Sequence, residues 1–280
     1  MPFGVNTYIW GATFGPADFH LLPRLKEAGF DGVEVPILDP AAFDARAVGR
    51  EFDRLDLART AVANVPRGSS LASSDAGERQ RARDHVAACI HAARDFGATV
   101  LAGPMYTPVG FLTGGRRTAE EWRWAVDSWQ HLAPIVEAAA IDIGLEPLNR
   151  FETYFLNTAA DAARLCTEVG SPRVGILLDT FHANIEEKSI GAALRAAAPH
   201  LKHLHVSEND RGIPGSGHVA WAEFFSTVAA IGYDRWMTIE SFGFSLGELS
   251  TAAAVWRDLA PTPEAIAFDG LAFLRAHVRT

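Results

Sequence analysis

The chain has 280 residues, 48% of them hydrophobic, and a formal net charge of −9. That hydrophobic share supports a large buried core and excludes a disordered chain. The acidic balance disfavours a broad polyanion-binding face, so neither nucleic acid nor an anionic membrane is an expected partner. Arg116 and Arg117 stand close to Glu120 and Glu121 and read as a solvated helix start. The two cysteines, Cys89 and Cys166, lie in alanine-rich helical patterns with no CxxC spacing. Both read as small buried apolar residues, and a reducing cytoplasm is the expected location. The opening MPFGVNTYIW has no basic region or long apolar segment, so neither a signal peptide nor an anchor is expected.

In chain order, short apolar runs alternate with longer segments of helical period. The expected strands are Phe3–Tyr8, Gly32–Pro36, Arg59–Val65, Thr99–Pro104, Asp142–Pro147, Val174–Asp179, Leu201–Ser207 and Trp236–Ser241. The expected helices are Leu21–Ala28, Gln80–Phe96, Glu120–Ala140, Ala159–Val169, Ile190–Ala197, Ala222–Ile231 and Glu264–His277. Many helices run into a glycine just before the next strand, as in EAGFDGVEV, DFGATVLAG and EVGSPRVGI. Such a glycine takes the left-handed conformation that closes a helix. Strand, helix, glycine and strand again spell parallel βαβ units, and eight strands in one chain of this size predict a single-domain α/β fold, the (β/α)8 barrel, over residues 1–280. A doubly wound sheet is disfavoured because no GxGxxG follows the first strand. The polar stretch Arg67–Gly77 reads as a loop on the active face.

Catalytic groups of such barrels come from the carboxyl ends of the strands. The fifth run, IDIGLEP, ends in Glu146; the sixth, VGILLDT, ends in Asp179; the seventh, LKHLHVSEN, carries His205; the eighth, WMTIES, ends in Glu240. Three carboxylates and an imidazole on one rim repel one another unless a cation sits among them. Mixed oxygen and nitrogen donors without thiolate suit Mn2+, Mg2+ or Co2+. Any one of the four alone reads as a helix cap or salt-bridge partner; the set in register reads as a site for one divalent metal ion. His203 points to the same strand face as His205 but is expected to be a satisfied histidine of the barrel interior. Glu152, His182 and Arg211 follow the rim residues in sequence, each within reach of a bound substrate's hydroxyls.

With these residues in view, the chain resembles the D-tagatose 3-epimerase/D-psicose (allulose) 3-epimerase family of the xylose-isomerase-like barrels. The resemblance rests on GLEPLNRFETYFLNT, LLDTFHANIEE, HLHVSENDRGIPGSGHVAW and MTIESF, with a weaker match at GPMYTPVG. These motifs keep their order over roughly the C-terminal two-thirds. The resemblance implies that Glu146, Asp179, His205 and Glu240 bind the metal, manganese or cobalt above all. It further implies that Glu146 and Glu240 form the acid/base pair on opposite sides of a ketose C3. One glutamate removes the C3 proton to leave a cis-enediolate held by the dication, and the other returns a proton to the opposite face. Glu152, His182 and Arg211 are then expected to contact the O1–O3 end of the sugar.

The resemblance also implies a homodimer or homotetramer acting on a small free sugar of the tagatose, fructose or ribulose type. The first strand departs from the family: Asn6 stands where an aromatic residue or histidine is expected, which leaves it as a candidate sugar contact of altered character. Trp10, Phe14, Met105, Phe242 and Phe244 are expected apolar walls around O4–O6. The glycine-rich Ile213–His218 offers backbone amides for a phosphate, but no lysine accompanies it, so a free sugar is expected. A hydroxypyruvate isomerase or an inosose isomerase or dehydratase on the same scaffold is the main rival. An endonuclease-IV-like repair barrel would call for a histidine-rich multi-zinc site and a basic groove, and a non-catalytic sugar-binding barrel would not need both glutamates.

Overall fold

The computed structural model describes residues 1–243, 251 and 253–278. Eight parallel strands close into one barrel in chain order. They are β1 (Phe3–Asn6), β2 (Gly32–Pro36), β3 (Ala58–Val62), β4 (Val100–Gly103), β5 (Asp142–Leu145), β6 (Val174–Asp179), β7 (Leu201–Val206) and β8 (Met237–Ile239). Around them run α1 (Leu21–Ala28), α2 (Ala45–Arg54), α3 (Ala76–Phe96), α4 (Ala119–Ala139), α5 (Ala159–Val169), α6 (Thr180–Glu186), α7 (Ile190–Ala197), α8 (Trp221–Ala230) and α9 (Pro263–His277). The expected (β/α)8 barrel is therefore the observed fold. Among the described residues no helix is long and apolar enough to cross a membrane.

Every expected strand is present, but most stop one to three residues earlier than the apolar runs suggest. Hydrogen-bond ladders end where the chain leaves the sheet, whereas apolar character continues into the loops that pack over the rim. At β1 the cause is visible: Asn6 Oδ1 accepts from the Tyr8 amide at 2.8 Å and turns Thr7–Ile9 into a short 3-10 turn. The glycines at the ends of α1, α3 and α5 are left-handed, with φ of 99°, 85° and 76° at Gly29, Gly97 and Gly170. The start of α4 is a reciprocal cap: Thr118 Oγ1 accepts from the Glu121 amide at 3.1 Å, and Glu121 Oε2 accepts from the Thr118 amide at 2.5 Å.

Two helices, α2 and α6, lie outside the expected set. Helix α2 is mostly polar and buries only Val48, Gly49 and Phe52. Helix α6 has 7 residues, too few for a period to register. The inner layer of the barrel is set by register. Asn6 pairs with Glu34 and Glu34 with Thr60, so three neighbouring strands place polar side chains at one level. Across the sheet His205 lies between Asp179 and Thr238. All six of these side chains are buried.

Candidate active site

Four consecutive strands each hand one group to the carboxyl rim. Glu146 directly follows β5, and Tyr106 pins it by donating its hydroxyl to the Glu146 carbonyl at 2.7 Å. Asp179 ends β6 and also caps α6, with Oδ1 accepting from the Phe181 amide at 2.7 Å. The capping role and the rim position thus coexist in one carboxylate. His205 is the penultimate residue of β7, and Glu240 directly follows β8, its carbonyl accepting from Ser207 Oγ at 2.9 Å. One ligand atom from each of the four lies within 4.8 Å of the others, and all four residues are buried. The set can hold a metal ion.

The electrostatics fit a cation. Burial raises the Glu146 carboxyl well above the usual range, and the nearby Glu240 and Asp179 charges push it further. Burial would raise Glu240 as well, but His205 and Arg211 outweigh it and hold that carboxyl down at about 2. His205 Nδ1 stands 3.3 Å from Glu240 Oε1 and 3.9 Å from Glu146 Oε1. Glu146 Oε1 and His205 Nδ1 are buried without a hydrogen-bond partner among the described residues. A ring nitrogen and carboxylate oxygens that face one another unpaired are what a hard or borderline dication satisfies.

The three further expected residues meet at the same place. Glu146, Glu240, Glu152, His182 and Arg211 all line a cavity of about 320 Å3, with Tyr8 and Phe242 among its remaining walls. This cavity shares Glu152 and Arg211 with a broader outer basin of about 1390 Å3. Arg211 Nη1 lies 2.5 Å from Asp179 Oδ2 and 2.8 Å from Glu240 Oε2. Its guanidinium is held between two rings, 4.0 Å from the Phe181 centroid and 5.1 Å from that of Phe242. The backbone amide of Asn149 donates to His182 Nδ1 at 3.1 Å, and Arg211 Nη2 lies 3.2 Å from His182 Nε2 on the other side of the ring. Burial first, and then Arg211, lower the His182 pKa to about 3, so the ring is neutral. Asn149 also donates to Glu152 Oε1 at 2.8 Å and so couples two of the polar lining groups.

Asn6 is placed differently. It is fully buried beneath the cavity, with Nδ2 donating to Glu34 Oε1 at 2.9 Å and Oδ1 accepting from Tyr8, and Tyr8 lines the cavity in its stead. Of the expected apolar walls Phe242 lines the cavity, stacked on Tyr8 at 5.4 Å between centroids. Phe14 and Met105 belong to the core, and Trp10 packs against it. Phe244 lies outside the described residues. The Ile213–His218 loop spends its amides on the protein: Gly215 donates to Glu208 at 2.8 Å and His218 to Asn209 at 3.0 Å. A phosphate cradle there would have to displace both.

Sequence reasoning passed over Glu34. Its signal was present, a lone acid inside the apolar run GVEVP, but nothing local says what it faces. Glu34 Oε1 accepts from His205 Nε2 at 2.7 Å, and Oε2 accepts from Thr60 Oγ1 at 2.8 Å and lies 2.9 Å from His203 Nε2. Burial would raise this carboxyl, but His205 and His203 hold it well below the usual range. His203 is therefore the neighbour of a charged group rather than a self-contained interior histidine, and its Nδ1 has no hydrogen-bond partner among the described residues.

Known proteins show the same arrangement of chain. The profile of the xylose isomerase-like TIM barrels matches residues 22–277. A Synechocystis sp. protein named "Probable ketose 3-epimerase" is 35% identical over 278 residues, covering 99% of this chain and 97% of its own length. The L-ribulose 3-epimerase of Mesorhizobium japonicum is 30% identical over 280 residues, covering 99% and 94%. The crystal structure of a Methylomonas sp. D-allulose 3-epimerase in complex with D-allulose superposes with a TM-score of 0.94 at 27% identity, covering 99% of this chain and 97% of that one. The chain belongs to the xylose isomerase-like TIM barrel family, alongside relatives named for ketose 3-epimerisation.

Proposed function

We propose that this chain is a metal-dependent ketose 3-epimerase that inverts C3 of a free ketose, of the D-tagatose/D-sorbose, D-fructose/D-psicose or ribulose/xylulose type. The observation that carries the reading is the pair Glu146 and Glu240, two carboxylates on the wall of one sugar-sized cavity that share a candidate metal cluster with Asp179 and His205. The bound dication, Mn2+ in our reading with Co2+ or Mg2+ as alternatives, supplies positive charge against the negative charge that develops on the sugar oxygens. Glu146, Asp179, His205 and Glu240 would hold it.

The chain's own residues carry the proton transfer. Glu146 and Glu240 both line the cavity, where one is placed to take the C3 proton and the other to return one to the opposite face. Arg211 presents N–H groups, neutral His182 a ring nitrogen, and Glu152 an acceptor to hydroxyls in the cavity. The commitment of the Ile213–His218 amides to the protein supports a free sugar over a phosphorylated one.

Further parts of the proposal concern the setting. We place the enzyme in the cytoplasm as one catalytic barrel over residues 1–280, with no nucleic-acid or membrane partner. A homodimer or homotetramer would cover the exposed Phe111, Leu112, Phe151 and Trp256 around the outer basin. The test of function is incubation of the metal-stripped protein with free ketohexoses and ketopentoses, with and without Mn2+ or Co2+, followed by chromatography for C3 epimers. Metal-dependent interconversion of one C3 pair is the expected outcome. Tight metal binding with no epimer from any ketose would overturn the epimerase reading and favour an isomerase or dehydratase of the hydroxypyruvate or inosose type.

A further inference from the structure

A carboxylate at the centre of a barrel, fully withdrawn from water, is costly unless its lone pairs are filled and its charge is used. Glu34 meets that condition through side chains from three other strands. Asn6 on β1 and His205 on β7 donate to Oε1, while Thr60 on β3 donates to Oε2 with His203 of β7 2.9 Å from the same oxygen. An ionised carboxylate only accepts, so the His205 ring holds a proton on Nε2, and Nδ1 is the nitrogen that can offer its lone pair to a metal. That nitrogen is the one turned toward Glu146 and Glu240, at 3.9 and 3.3 Å. The opposite tautomer would put a proton where the ligand lone pair is needed and two lone pairs against each other at 2.7 Å.

We propose that Glu34 is a positioning residue of the metal site, which fixes the tautomer and orientation of His205 and sets a negative charge behind the ring so that Nδ1 binds the metal. Asn6 belongs to the same device: its Nδ2 completes Oε1 while its Oδ1 holds the turn that carries Tyr8 into the cavity. The departure of the first strand from an aromatic residue or histidine is thereby tied to the support of the metal ligand, one layer below the sugar. The inference rests on reading Glu146, Asp179, His205 and Glu240 as the metal site. A carboxylate behind a ligating histidine raises its basicity, and loss of such a partner weakens metal binding by roughly 10- to 100-fold.

The experiment is a calorimetric titration of Mn2+ into metal-stripped wild type and Glu34→Gln, with the thermal midpoint of each as a check on folding. Glutamine keeps the shape but removes the charge and replaces one acceptor oxygen by an NH2 group. The expected result is a folded variant with Mn2+ affinity lowered by about 10- to 100-fold. Equal affinity in the two proteins overturns this inference alone, whereas a wild type that takes up no Mn2+ overturns the metal-site reading and this inference with it. Nitrogen-15 NMR of histidine-labelled, Zn2+-loaded wild type tests the same point without a variant. Nε2 of His205 protonated and Nδ1 bound to the metal is the expected signature; a ring bound through Nε2 overturns the proposal even if Glu34→Gln does not fold.

Discussion

Glu240 stands at the barrel mouth with the Arg211 guanidinium at 2.8 Å and the His205 ring at 3.3 Å, and this setting holds its carboxyl low despite its burial. Removing that charge while keeping the shape isolates its part in proton transfer. Glu240→Gln is expected to keep the fold and much of the Mn2+ affinity, because three other donors remain, yet to lower kcat by about 100- to 10,000-fold. Turnover of the Mn2+-loaded variant, read beside its thermal midpoint, checks this; unchanged turnover would remove Glu240 from the acid/base pair. At this scale the rim residues were legible because each ends an apolar run. Asn6 and Glu34 were not, since a polar residue inside a strand carries no local sign of the partner it meets across the barrel.

Among the elements, β4 shows how closely strand and site are fitted. Gly103 ends this strand with φ +121°, a conformation that disfavours any side chain, and an added Cβ would run into the Ala63 carbonyl oxygen. Its own carbonyl accepts from the Glu146 amide at 3.2 Å, so a shift here is passed directly to a rim carboxylate. Gly103→Ala is expected to cost about 1–3 kcal/mol of stability, measured by urea unfolding, and to disturb the cavity wall that Gly103 lines. A variant as stable as wild type would show that β4 can relax without strain. The long helices α3 and α4 were legible from their period, but α3 begins four residues before the expected Gln80, at the Asp75 cap, and α4 one residue before the expected Glu120, at the Thr118 cap. Helices α2 and α6 were not, because one buries little and the other is too short to show a period.

For the whole molecule, the barrel buries histidines that the unfolded chain would leave free to protonate. The His182 pKa falls from 6.5 to about 3 on folding, through burial and then Arg211. A depressed histidine pKa means that the unfolded state binds the extra proton first. Stability attributable to His182 is thus present above pH 6.5 and is lost as pH falls from 6.5 toward 3. Within that window one proton of difference corresponds to a slope of ~1.4 kcal/mol per pH unit. Urea unfolding of the metal-free protein between about pH 6.5 and 4.5 is expected to show a shallower loss for His182→Asn than for wild type by up to that amount. Equal slopes would mean that His182 is not held neutral by the fold.

What the sequence determined by itself is what depends on near neighbours: the order of strands and helices, most helix ends, and the four rim residues Glu146, Asp179, His205 and Glu240. Period, caps and glycine punctuation act over a few residues, and a strand's last side chain is a property of that strand. What the tertiary structure alone decided are the contacts made by closure. The partnership of Glu34 with His205 spans 171 residues of chain, and Asn6 and Thr60 join it only through the register of β1, β2 and β3. The same closure turned Asn6 away from the cavity toward Glu34, set Tyr8 in the cavity wall, and placed the Arg211 guanidinium between Asp179 and Glu240. Alternation along a strand tells which face a residue takes, but only a closed barrel brings opposite strands close enough for one side chain to meet another.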